Sequence, residues 1–226
     1  MSTTERVGGE LRHLQLKDRV YEHLRNAIIG GDYAIGAALR EVDISTSLGV
    51  SKTPVREAFV RLQKDRFVDL IPYRGAVVAG YSKRDLREMY EVRELLEGRC
   101  AARAAEADDD QLHADLQRNV EETRRAVEED RLERVIELFE NFDRLIYSGS
   151  DNKWINDIIH DLDGHQRRIG RLTVGIPGRI EHSLSEHEKI CAAILKRDAA
   201  AAEKRMRAHV RSVMTDQLRS FRVEEA

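Results

Sequence analysis

The chain has 226 residues and a formal net charge of −3, with 35% charged, 41% hydrophobic and 5% aromatic residues and only three prolines. That length suits two domains, each able to bury a core, and the near-balanced charge excludes a polycation that coats nucleic acid indiscriminately. No apolar run approaches membrane-spanning length and no apolar leader opens the chain, so the expected location is the cytoplasm, without membrane attachment.

Residues 1–15 are polar and read as a mobile N-terminal arm, with Arg6 and Arg12 available to phosphates. From Leu16, the helical spacing of Val20, Leu24, Ala27 and Ile28 predicts a first helix that ends at Gly30-Gly31, before a turn around Tyr33 and Gly36. Val42, Ile44 and Leu48 mark a short second helix. Gly49 then makes a tight turn, and a third helix opens behind Ser51 and Pro54, with Val55, Phe59 and Leu62 on its inner face. Two β-rich runs, Phe67–Ile71 and Ala76–Ala79, flank Pro72-Tyr73-Arg74-Gly75 and read as a hairpin. Three helices and a hairpin wing over residues 16–80 make a winged helix-turn-helix. Residues 51–74 hold six basic side chains against three acidic ones, a local basic surface on a mildly acidic chain.

Ser82 can cap a new helix, with Asp85 placed to reach back to the free amides. The expectation for residues 81–226 is an all-α bundle of six helices, at about 83–106, 109–128, 131–148, 152–174, 179–196 and 198–222. The whole chain is therefore mainly α. Cys100 and Cys191 fall inside helical patterns with no Cys-x-x-Cys spacing. They read as buried reduced thiols, with a disulfide or redox sensor as the alternative.

The run from Leu48 through Ala58 (LGVSKTPVREA), followed by Pro72-x-x-Gly75, resembles the DNA-binding domain of GntR-family transcriptional regulators. The second half resembles the helical FCD effector domain of the FadR-like subgroup, through Tyr90-Glu91-Val92-Arg93, Ser148 to Asn152, Glu186-His187 and His209. Six helices rather than seven are similar to the vanillate-regulator branch. The resemblance implies a homodimer on a palindromic double-stranded operator, a repressor more readily than an activator, controlled by a small carboxylic acid. On the residues, Ser51, Lys52, Thr53 and Arg56 open the recognition helix, the part of such a helix that meets base edges and phosphates in a major groove, and Arg40 lies on the exposed face of the helix before it. By resemblance, Arg74 and Gly75 at the wing tip enter the adjacent minor groove. Lys52 stands where many relatives carry arginine, and Val42 where some use a base-reading arginine.

On the first bundle helix, Leu86, Met89, Arg93, Leu96 and Cys100 form one stripe, and an arginine on an apolar face needs an anion. A structural glutamate and a carboxylate effector both satisfy that need. Asp143, His187 and His209 interrupt other apolar stripes, and a carboxylate with two imidazoles can hold a borderline divalent metal, zinc first, then nickel or manganese. In metal-binding relatives the resemblance implies an Asp and a His four residues apart, plus two later histidines. His187 and His209 match the later pair, Phe139 and Asp143 fall at the earlier one, and His165, on a stripe with Ile155, Ile158, Leu162, Ile169 and Leu172, could compensate. Two other functions fit parts of the pattern: a metal-dependent enzyme using Asp143, His187 and His209, and a nucleoid-type DNA-binding protein.

Overall fold

The computed structural model describes residues 3–72, 74–173 and 175–220. It forms two compact units, Met1–Gly80 and Tyr81–Ala226.

In the first unit α1 spans Thr3–Gly30, β1 Ala38–Leu39, α2 Glu41–Leu48, α3 Lys52–Lys64, β2 Val68–Ile71 and β3 Gly75–Val78. Helix α1 takes in residues 3–15, so the expected arm is helical backbone; the side chains of Arg6 and Arg12 lie outside the described residues. The apolar residues that set the helical periodicity, Val20, Leu24 and Ile28, bury with Val55, Phe59 and Leu62 of α3 in one core. Strand β1 was not expected: the two residues after the turn around Tyr33 and Gly36 pair with β3, Ala38 opposite Val77 and Leu39 opposite Ala76. The wing is therefore the outer part of a three-stranded sheet ordered β1-β3-β2. Two residues of strand lie below what alternation can signal.

Glycine is required at two positions here. Gly49 ends α2 in the left-handed region (φ 63°, ψ 33°), its N–H bonding back to Ser45 and Thr46, and this turn sets the course of α3. Gly75 has φ 99°, and a Cβ there would collide with the Leu39 carbonyl oxygen.

The second unit is built of α4 (Lys83–Glu106), α5 (Asp110–Glu128), α6 (Leu132–Ser148), α7 (Lys153–Thr173), α8 (Arg179–Leu195) and α9 (Ala199–Ser220). The expected boundaries hold to within about two residues, and several starts carry their own cap. Ser82 and Asp85 form a reciprocal capping box, Asp109 Oδ1 accepts from Leu112 N at 2.9 Å, and Asp198 Oδ1 accepts from Ala201 N at 2.9 Å. Helix α4 is central. Its buried alanines, Ala101, Ala104 and Ala105, share a core with Ala202, Met206 and Val210 of α9 and with Phe142 and Ile146 of α6. Small side chains on α4 let its neighbours approach closely, and Gly98 sits against the Arg207 stem. Cys100 and Cys191 are both free and buried, and burial pushes each thiol up to about 11, which leaves them unreactive. Among the described residues no helix is long and apolar enough to cross a membrane.

Candidate functional site

Two surfaces bring functional side chains together, one in each unit. In the first, α3 opens with Ser51, Lys52, Thr53 and Arg56 all exposed, while Pro54, Val55, Ala58 and Phe59 are buried beneath them. Ser51 has extended backbone (φ −71°, ψ 164°), and its hydroxyl makes no capping bond, so that oxygen stays available. Arg40 is exposed at the N-cap of α2 and likewise makes no capping bond from its side chain. Arg74 is exposed in the turn of the wing, its N–H bonded to the Ile71 carbonyl; Tyr73 lies outside the described residues. Gly75 belongs to this face only as backbone, and its contact with Leu39 is enough to demand glycine there. One partner escaped the sequence reading: Arg56 Nε donates to Glu41 Oε2 at 2.7 Å, across 15 positions.

In the second unit a cavity of about 130 Å³ lies among α4, α6, α7, α8 and α9. A cavity of similar size, about 150 Å³, admits a molecule such as benzene, so the ligand it takes is small. Ile136, Phe139, Ile176, Ile180 and Val213 supply apolar wall, and Arg93, Asp143, His187 and His209 all reach it. Four of the side chains singled out by interrupted stripes therefore do converge.

Their bonding differs from what was expected. Arg93 is buried, and its Nε donates to Glu97 Oε1 at 2.6 Å, one helical turn on, while its guanidinium lies 4.5 Å from the Tyr90 ring centroid. The anion that Arg93 requires is thus an internal glutamate. Asp143 Oδ2 accepts from Gln166 Nε2 at 2.6 Å, and Tyr147 Oη donates to the other end of the Gln166 amide at 3.3 Å. Burial, and then the charge of Glu97, raise the Asp143 carboxyl well above the usual carboxylate range in spite of Arg93.

His187 stacks on Phe142 (4.1 Å between centroids, planes 9° apart), with Phe139 edge-on at 4.9 Å and His209 at 4.8 Å. Burial, then the neighbouring His209 and Arg179, push the His187 imidazole well below its ordinary value. His209 Nδ1 pairs with Glu186 Oε2 at 2.8 Å, and Arg179 spans Glu186 and Asp216 at 2.9 and 2.6 Å. Burial alone would raise Glu186, but the hydrogen bond and charge of His209, with Arg179, hold it at about 2.

The expected metal set is not assembled. Asp143 is engaged by Gln166, His209 by Glu186, and His165 turns away to Tyr81, its Nδ1 2.7 Å from the phenol oxygen. Phe139, at the position where the resemblance implies a ligand, places a ring edge against His187 instead. Among the described residues no group of three or more His, Cys, Asp or Glu is placed to hold a metal ion.

The sequence reading missed the cavity's other charged wall. Asp163, Gln166, Arg167, Gly170 and Arg171 of α7 line it, at positions i, i+3, i+4, i+7 and i+8. That polar stripe has full helical spacing; it reads as solvated until a cavity is known to face it. Arg167 lies 3.0 Å and Arg171 4.0 Å from the same carboxylate, Glu140, and Arg171 Nε has no hydrogen-bond partner among the described residues. Arg179 is fully engaged, Arg93 is paired with Glu97, and Arg167 also meets Asp163 at 3.9 Å, so Arg171, 4.0 Å from Glu140, is the least compensated of these four cations. The side chain of Leu172 lies outside the described residues.

Comparison with known proteins assigns a family to each unit. Residues 16–78 match the family described as bacterial regulatory proteins, gntR family, and residues 88–212 match the FCD domain. The chain is 29% identical over 211 residues to the HTH-type transcriptional repressor RspR of Escherichia coli, covering 93% of this chain and 92% of that protein. It is 30% identical over 202 residues to an uncharacterized HTH-type transcriptional regulator of Streptomyces ambofaciens, covering 87% and 83%. Among solved structures, E. coli McbR/YncC superposes with a TM-score of 0.75 at 24% identity, over 91% of this chain and 98% of that one, which establishes a shared fold.

Proposed function

Since the chain belongs to the GntR family of bacterial regulators and carries an FCD domain behind its winged helix-turn-helix, it is a transcription regulator rather than an enzyme, and we propose that it is a cytoplasmic repressor. It acts as a homodimer on a palindromic operator, with the first turns of α3 in the major groove and Arg74 at the wing reaching the flanking groove. A small organic acid in the cavity sets operator affinity by favouring one arrangement of the dimer over another. The acid binds without a metal: its carboxylate sits on Arg171 and Arg167, its apolar part on Ile136, Phe139, Ile180 and Val213, and Asp143 offers it a polar side chain.

The observation that carries this reading is the sharing of one carboxylate, Glu140, by two arginines that line the cavity beside its apolar wall. The name of one relative, a transcriptional repressor, supports the direction of control. The test combines selection from a random duplex pool with a thermal-shift screen of small mono- and dicarboxylates. A palindrome should be selected, and Arg56→Ala should lose that selection while the protein stays a folded dimer. Arg171→Ala should remove most of the shift given by the best acid, and a chelator should leave that shift unchanged. Sequence-indifferent binding would favour a nucleoid role, and a shift abolished by chelator would overturn metal-free binding.

A further inference from the structure

Glu41 poses a problem on the face just assigned to DNA. A carboxylate there repels phosphates, and its ion pair with Arg56 is exposed on the arginine side (63% of that side chain), a setting in which ion pairs contribute little to stability. Stability therefore does not account for the pair.

Its geometry supplies another role. Arg56 extends from α3, Glu41 from the first turn of α2, and the bond between them uses Nε alone. The two terminal NH2 groups of Arg56 make no hydrogen bond among the described residues. A guanidinium has five donors in one plane. With Nε anchored on its flank, the free terminal pair points end-on, which is the approach used for the O6 and N7 atoms of guanine. An unanchored arginine at the same place can swing to a phosphate, which carries no sequence information. The anchor comes from a different helix, so it restrains the arginine stem against the body of the domain and removes rotamers that would otherwise have to be lost on binding.

We infer that Glu41 is a positioning residue for base recognition: it holds Arg56 for end-on contact with a guanine and at the same time lowers affinity for unselected DNA. The inference rests on the reading of α3 as the recognition helix. A rival account makes Glu41 a plain competitor that occupies Arg56 and weakens all DNA binding alike. The two differ in the ratio of affinities, not in their sum.

The experiment uses the full chain and a random duplex pool, sequenced after selection by the wild type, Arg56→Ala, Glu41→Gln and the double variant, at one fixed salt concentration. Arg56→Ala locates the base pair concerned, as the position where a required guanine becomes free to vary. At that position Glu41→Gln should lower the preference for guanine about tenfold, leave the other positions selected as before, and raise affinity for random duplex. In the Arg56→Ala background Glu41→Gln should change nothing at that position. Retention of the guanine preference within twofold overturns the inference, and so does a uniform gain in affinity with the ratio intact, the signature of the competitor. If Arg56→Ala leaves selection untouched, the assignment of the recognition helix fails first, and the role of Glu41 fails with it.

Discussion

Removing the charge of Glu97 tests whether Arg93 is a structural cation or an acceptor awaiting a ligand. The pair is buried, with side chains 5% and 2% exposed and 2.6 Å between Nε and Oε1. Replacing Glu97 by glutamine keeps its volume and leaves the guanidinium without a counter-charge, a change that costs about 3–5 kcal/mol where no other anion can move in. Here one can. The Asp143 carboxyl is raised by burial and by Glu97 itself, so loss of Glu97 favours its ionisation beside Arg93. We therefore expect Glu97→Gln to fall near the lower bound, about 3 kcal/mol, and Glu97→Gln with Asp143→Asn near the upper one, about 5 kcal/mol. Replacing both partners, as Arg93→Met with Glu97→Leu, should be close to neutral because no charge is left stranded. Urea unfolding followed by far-ultraviolet circular dichroism reads these differences, with the transition of the effector unit fitted apart from that of the winged unit. For a chain of this size about 3 kcal/mol corresponds to a melting temperature lowered by roughly 6–12 °C. A Glu97→Gln protein within 1 kcal/mol of the wild type would show that Glu97 does not neutralise Arg93, and would restore Arg93 as the effector's anchor.

Gly75→Ala should destabilise the winged unit by about 2 kcal/mol or more, since alanine is strained at φ 99° and its Cβ meets the Leu39 carbonyl; an unchanged thermal transition would contradict that packing. His187 yields a pH dependence. Its folded-state value lies well below 6.5, so below about pH 6.5 the unfolded chain binds a proton that the folded chain refuses, and stability falls as pH falls. The loss should approach about 1.4 kcal/mol per pH unit and be absent in His187→Gln; parallel stability profiles for the two proteins between pH 6.5 and 5 would refute the buried neutral imidazole.

Much of this molecule is written in local signals. The helices of the second unit could be bounded from the sequence because Ser82, Asp109 and Asp198 cap their starts and a 3.6-residue apolar period runs between the breaks. The recognition helix is equally local: Gly49, Ser51 and Pro54 mark its start, and Val55, Phe59 and Leu62 its buried face. The polar interruptions Arg93, Asp143, His187 and His209 also revealed that a cavity exists, since a charged group on an apolar stripe must find a partner somewhere.

Which partner it finds is decided by tertiary structure, because hydrogen bonds and ion pairs depend on distances of tenths of an ångström between residues far apart in the chain. Arg93 could have met a ligand or Glu97, and helical spacing allowed both; packing closed the choice. Three side chains suited to a metal became three separate contacts, with Gln166, Phe142 and Glu186, each supplied by another helix or another turn. Strand β1 exists only because β3 lies beside it, and Glu41 acquires a role only because α2 brings it to Arg56. The sequence by itself determined the elements, their order and the family; the assembled fold decided which charges are already spent and which remain for DNA and for a ligand.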